Sequence, residues 1–215
     1  MILTRNEIKQ LIAEEKLIFE PALDKYQDQP HAVDLRLGTT FYLAKTWKVS
    51  DRGREVLTVD VTHCAADNYE KIELEPGQFF ELAPGESVIA STLEKVSLRA
   101  DDIMGVLYPR SSVNRRGLSV DLTGIVDAHY SGHLMIPILN KTTSQIIRIY
   151  PGERICQIVL QRLASDLTKE EAQRHGAQLA KYEGATSAEL ASKCDVEDEL
   201  ELIRNGELDK LKKQK

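Results

Sequence analysis

The chain has 215 residues, 42% of them hydrophobic and 29% charged. That apolar content fills one substantial core and is short for two independent ones, so one domain with appendages is expected. The formal charge of −6 excludes a general nucleic-acid or membrane-surface binder, because sequence-independent phosphate binding needs a net basic field; any anion site must be built locally.

No apolar run approaches the length needed to cross a bilayer, and the opening MILTRNEIKQ lacks the basic-then-apolar layout of a secretory signal, so a cytoplasmic location is expected. Cys64, Cys156 and Cys194 are widely spaced with no CxxC pair, which suggests neither a disulfide framework nor a zinc cage. Cys156, inside RICQIVL, reads as a small core residue. His63 beside Cys64 lacks further ligands nearby and is not read as a metal pair.

In chain order, Thr4 stands three residues before Glu7, the spacing of a capping box, and Ile8, Leu11 and Ile12 share one helical face. A short amphipathic helix is predicted there. From AVDLRLGTTFYLAKTW onward the apolar period is two, and Gly38 within it suggests strand, turn, strand. Residues 50–72 are polar and weakly patterned and read as a variable loop or a loosely held hairpin. Short apolar segments follow, separated by Pro76-Gly77, Pro84-Gly85 and Pro151-Gly152, the pattern of an antiparallel sandwich or barrel. There is no α/β alternation and no internal repeat.

Beyond Leu163 the chain becomes polar and rich in small residues, which reads as a surface arm or mobile segment. The final stretch DVEDELELIRNGELDKLKKQK runs from acidic to basic, an order that suits a helix macrodipole, with Leu200, Ile203 and Leu211 near one face. Gly206 interrupts it, so a terminal helix and a frayed tail both remain open. The expected division is a domain over 1–190 and a helical tail over 191–215.

The chemistry concentrates in YPRSSVNRRGLSVDLTGIVDAHYSGHLMIPILN, which sets three arginines among apolar strand segments. Arg110, Ser111 and Ser112 offer a guanidinium fork and two hydroxyls where a strand ends, a set suited to phosphate oxygens. Arg115 and Arg116 follow. Alone, such a stretch is usually only a turn. Gly124 permits close approach of a ligand to backbone, and Asp127 ends an apolar segment, where an aspartate commonly closes a turn on its own backbone. Together they supply anion donors and a carboxylate able to take a proton from water, the two parts that phosphoester hydrolysis requires.

PRSS, GLSVDLTGIVDAHYSGHLMIPILN and YPGERICQIVL look like successive motifs of the dUTPase and dCTP deaminase superfamily. MILTRNEIKQLI, QPHAVDLRLG, LAPGESVIASTLEKVSL and KYEGATSAEL are similar to further stretches of dCTP deaminases. The resemblance implies a mainly β fold, a distorted jelly-roll barrel, assembled as a homotrimer with active sites between subunits and Mg2+ carried on the nucleotide triphosphate. It implies that Arg110, Ser111 and Ser112 hold the triphosphate with support from Arg115, and that Gln157 lies near the phosphates. Backbone over Val120, Asp121, Leu122, Thr123 and Gly124 would read the pyrimidine edge. Tyr130 would lie under the deoxyribose, and Asp127 would orient and deprotonate the attacking water. Asp34 matches the aspartate of the first family motif, where it fixes neighbouring charged groups. His129 and His133 match no catalytic position and are left out of the mechanism.

One departure matters. The deaminases carry a proton-shuttling glutamate in the strand of SGHLMIPILN, and ungapped alignment puts Pro137 there. Proline has neither a titratable group nor an N–H. Asp121 and Glu153 are the nearest acidic alternatives and do not match the position. The leading expectation is therefore hydrolysis of a deoxypyrimidine triphosphate, with dUTP going to dUMP and pyrophosphate. The arm KYEGATSAEL points the other way: it resembles the deaminase arm, with Lys181 and Tyr182 against phosphate and base and Gly184, Thr186 and Ser187 in a hydroxyl-rich cover. The alternatives are a dCTP deaminase, mono- or bifunctional, and a nucleotide-binding regulator acting through a protein partner.

Overall fold

A computed structural model of the chain describes residues 1–60, 62, 68–120, 124–175, 178–179 and 195–211. Helix α1 (Arg5–Ala13) begins where the capping box places it: the Glu7 carboxylate accepts from both the backbone N–H and the hydroxyl of Thr4, each at 2.8 Å. Ile8 and Leu11 are buried while Ile12 stays exposed at the rim. After α1 the period changes to two within KLIF, and β1 (Leu17–Glu20) pairs antiparallel with Leu98 to Lys95. Leu17 and Phe19 face the core.

The main sheet is antiparallel throughout. Its path runs β10 (Ile125–Val126), β8 (Ile103–Pro109), β13 (Arg154–Arg162), β2 (Val33–Ala44), β7 (Ser87–Leu98), β11 (Ser131–Asn140), β9 (Leu118–Val120), with β1 added to β7 and β5 (Tyr69–Glu73) added to β2. This curled half-barrel is the mainly β architecture expected. Residues alternating inward from β2, β7, β11 and β13, among them Leu35, Phe41, Ala90, Ile136 and Ile158, are fully buried and form one continuous core. Phe41 stacks on Phe80 of β6 (Phe80–Leu82) with ring centroids 5.1 Å apart, and β12 (Ile147–Ile149) pairs with β6 beside them.

Gly38 does not make a turn. β2 runs unbroken through it, and the pairing with β7 shifts register between Leu37 and Phe41. A Cβ at position 38 would sit 2.7 Å from Ser91 Oγ and 3.0 Å from the carbonyl oxygens of Ser91 and Thr92. The glycine therefore serves a close approach of two strands. Two of those three neighbours are backbone atoms, so Gly38→Ala should cost about 1–3 kcal/mol by overpacking; denaturant unfolding of the two proteins reads this directly, and equal stability would contradict it.

The stretch over 50–72, read as a loop or hairpin, is part hairpin and part sheet: β3 (Trp47–Ser50), which leads into it, pairs with β4 (Gly53–Val56) as a hairpin apart from the main sheet, while its end, from Tyr69, joins the main sheet as β5. The polar stretch after Leu163 contains a helix that the sequence reading passed over, α3 (Lys169–Ala172). It starts at a second capping box, Thr168 with Glu171. Short strands β14 (Arg174–His175) and β15 (Gln178–Leu179) pair after it. The tail is helical: α4 (Glu197–Arg204) buries Leu200, Arg204 donates to the Thr62 carbonyl at 2.8 Å, and α5 (Leu208–Leu211) follows Gly206, whose φ of +70° ends α4. Among the described residues no helix is long and apolar enough to cross a membrane.

Candidate active site

PRSS lies at the C-terminal end of β8, where Arg110 caps the single helical turn α2 (Ser111–Asn114). A proline before an arginine in extended conformation stops the strand, and the two serines open the turn with their side chains exposed. The Arg110 side chain is fixed from behind. Its Nη1 donates to the Arg154 carbonyl at 2.8 Å, and its Nε lies 3.0 Å from Asp34 Oδ2. Asp34 is 2% exposed, and its Oδ2 also receives Arg154 Nη1 at 3.2 Å and Gln29 Nε2 at 3.3 Å. Burial raises the Asp34 carboxyl above its ordinary range, while Arg110 and Arg154 pull it down.

The reason these groups meet is register. Gln157 pairs with Asp34 on one side and Tyr108 on the other, so the three side chains lie on one face of the sheet, at the end from which Arg110 emerges. Cys156, one position along, points into the core; burial pushes its thiol far up, and it is inert packing.

Sequence reasoning missed the layer beneath. Glu94, 1% exposed, accepts from Gln27 Nε2 at 2.7 Å and from the Arg36 backbone N–H at 2.9 Å. The same Gln27 amide donates to the Asp34 carbonyl at 2.9 Å. Arg36 in turn donates to Asp24 Oδ2 at 3.0 Å. Burial raises the Glu94 carboxyl above its ordinary range. One signal was available: a glutamate at an inward position of the strand VIASTLEKVSL, where a lone carboxylate without partners would be costly.

The second half of the site stands elsewhere. Val120 is buried in β9, and Gly124 accepts from the Leu107 N–H at 3.0 Å. Asp127 is half-buried just beyond β10. Tyr130 donates its hydroxyl to the His133 carbonyl at 2.8 Å, and burial pushes its pKa up to about 12. The phenol is neutral and its proton already committed, so the ring offers a surface and no acid. A hollow of about 410 Å3 beside it is lined by Tyr130, Ser131, Ser97, Lys95, Arg99 and Lys169 among others. Arg115 is exposed at the end of α2. Asp121, Leu122, Thr123, Lys181, Tyr182, Gly184, Thr186 and Ser187 lie outside the described residues, as do His63, Cys64 and Cys194.

Within one chain Gly124 lies beside Leu107 near the end of β8 that bears Arg110, but Asp127 and Arg110 do not meet. β10 pairs Ile125 with Val106 and Val126 with Gly105, so Asp127 falls level with the start of β8, whereas Arg110 follows its end. At ~3.3 Å per residue that is a backbone separation on the order of 20 Å.

The fit of a magnesium ion follows from the donor set. Among the described residues no group of three or more His, Cys, Asp or Glu side chains could hold a metal. The carboxylate nearest the Arg110 cradle, Asp34, is occupied by cations. The cradle offers a guanidinium and hydroxyls, which take phosphate oxygens, so it fits a metal carried by the nucleotide.

Comparison with known proteins follows the same outline. A family model described as dCTP deaminase-like matches residues 2–163. The chain is 36% identical over 192 residues to a "dCTP deaminase, dUMP-forming" of Dictyoglomus turgidum, covering 88% of this chain and 95% of that protein. It is 32% identical over 187 residues to a protein of the same name from Methanopyrus kandleri, covering 85% and 91%. The crystal structure of 2'-deoxycytidine 5'-triphosphate deaminase from Agrobacterium tumefaciens matches with a TM-score of 0.57 at 26% identity over 76% of this chain, which spans 48% of that one.

Proposed function

Since the chain belongs to the dCTP deaminase-like family, we propose that it converts a deoxypyrimidine triphosphate to dUMP, with dCTP the substrate that its relatives' names favour. The observation that carries the phosphate half is the Arg110 guanidinium, locked by Asp34 and the Arg154 carbonyl beside two exposed serines. A fork held so before substrate arrives gives up little freedom on binding phosphate oxygens. Ser112 and Arg115 extend the cradle, Gln157 borders it, and Tyr130 floors the sugar. The separation of Arg110 from Asp127 supports a site completed between copies of the chain, a homotrimer in this reading. Arg110, Ser111 and Ser112 would hold the triphosphate, and Mg2+ carried on it would supply neutralisation of phosphate charge.

In this reading water adds at C4 of cytosine and ammonia leaves. A second water, its proton taken by Asp127, attacks the α-phosphorus; the P–O bond to the β-phosphate breaks and pyrophosphate departs.

A second reading, dUTP taken directly to dUMP and pyrophosphate, is favoured by Pro137. This residue is exposed midway along β11, opposite Ile89 of β7, and carries no atom able to relay a proton to a base. The two readings share Asp127 and the cradle and differ only at the pyrimidine. Incubation with dCTP, dUTP and dTTP, each with Mg2+, separates them. Equal ammonia and pyrophosphate from dCTP is the expected result; pyrophosphate from dUTP with no ammonia from dCTP would replace it with the second reading. Tight binding without turnover of any of the three would overturn both in favour of a nucleotide-binding regulator.

A further inference from the structure

The residues Asp127 to Tyr130 form a tight turn, closed by the Tyr130 N–H on the Asp127 carbonyl at 3.2 Å. Its third residue, His129, has φ of +65°, a left-handed conformation uncommon outside glycine, which asparagine, aspartate and histidine enter more often than other side chains. Its side chain is 14% exposed. Two acceptors face one ring nitrogen: Nε2 lies 3.1 Å from the Leu167 carbonyl and 3.0 Å from Asp101 Oδ1. Since neither partner can donate, Nε2 carries the proton and donates to both.

These contacts tie together three stretches remote in sequence. Asp101 and Asp102 make the corner between β7 and β8, and they also accept, through their carbonyls, from the N–H groups of Leu167 at 2.8 Å and Leu163 at 2.7 Å. Leu167 immediately precedes Thr168, the cap of α3. His129 therefore stands where the Asp127 turn, the β7–β8 corner and the segment leading to the C-terminal residues meet. The far end of the turn is held independently, by the Leu98 N–H on the Tyr130 carbonyl at 2.8 Å. At the near end, the imidazole reaches from the turn to both neighbouring stretches.

We propose that His129 is a positioning residue: its imidazole pins the turn to Asp101 and Leu167 and so sets where the Asp127 carboxylate stands. The inference rests on the reading of Asp127 as the group that activates water. A side chain placed at positive φ and buried against two acceptors is a costly way to fill a surface turn. The pin explains why a histidine stands where glycine would satisfy the backbone without strain.

Glycine is also the discriminating substitution, because His129→Gly keeps the left-handed turn and removes only the pin. Turnover to dUMP, per folded molecule and with saturating nucleotide, is expected to fall by about ten- to a hundredfold, the cost of a misplacement of about 1 Å in a reacting group. KM is expected to change by less than about threefold, because the phosphate cradle is untouched. Asp101→Ala, at a residue 62% exposed on its side chain, should lower kcat in the same direction, and the double variant should be no worse than His129→Gly alone, since both remove one interaction. A His129→Gly protein with the kcat of the parent overturns the proposal; so does full additivity of the two substitutions. Asp127→Asn, measured alongside, keeps the cases apart: if that variant retains full turnover, the assignment of the base has failed, whatever His129 does.

Discussion

Replacement of Asp127 by asparagine is expected to lower dUMP formation by about two to four orders of magnitude, the usual contribution of a positioned general base. Asparagine has the same shape and keeps one acceptor oxygen, so the turn from Asp127 to Tyr130, closed through the backbone, should survive. Nucleotide affinity should change little, because the phosphate contacts are assigned to Arg110, Ser111 and Ser112 at the other end of β8. Pyrophosphate release measured with dUTP and with dCTP, paired with calorimetric binding of a non-hydrolysable triphosphate, tests both halves. A variant that binds as the parent does and turns over as fast would remove Asp127 from the mechanism. Loss of binding and rate together would make it a structural residue of the turn.

The largest effect on stability is expected at Asp34. Its carboxylate is nearly inaccessible and faces Arg110 and Arg154 together. Asp34→Ala leaves those two guanidinium groups without their shared counter-ion in a partly buried setting, and breaking such a pair typically costs about 3–5 kcal/mol. Asp34→Asn should fall between, since an amide oxygen still accepts one hydrogen bond while the charge is gone. Thermal and denaturant unfolding measure the order. A second consequence separates the site from the fold: with Asp34 removed, the Arg110 Nε loses its fixed partner, and affinity for inorganic triphosphate should drop even under conditions where the protein remains folded. Unchanged stability in Asp34→Ala would mean that the arginines are held by their backbone acceptors, the Arg154 and Tyr26 carbonyls, alone.

Several features were legible because they depend on neighbours in sequence. The Thr4 and Glu7 capping box predicts α1, and the two-residue period between Pro-Gly turns predicts antiparallel strands. Elsewhere a tertiary contact overrides the local signal, or local composition hides it. Gly38 looks like a turn residue until Ser91 and Thr92 are brought against it. Thr168 and Glu171 carry the same capping spacing as Thr4 and Glu7, yet the small polar residues around them masked a four-residue helix. Leu17 and Phe19 form a strand because β7 is there to pair with them.

What the sequence alone determined is therefore the class of fold, the family, and the residue types gathered in PRSS and GIVDAHY: local period and motif order need no partner to be read. What only the tertiary structure decided is which charges meet. Asp34, Arg110 and Arg154 come together through the registers of β2, β13 and β8, and Gln27 joins Glu94 to the back of Asp34. His129 was set aside in the sequence reading and finds its two acceptors only where three distant stretches converge. A strand's pattern fixes which face a side chain takes, but the register between strands far apart in the chain is set by the packed core as a whole, and that register chooses the partner.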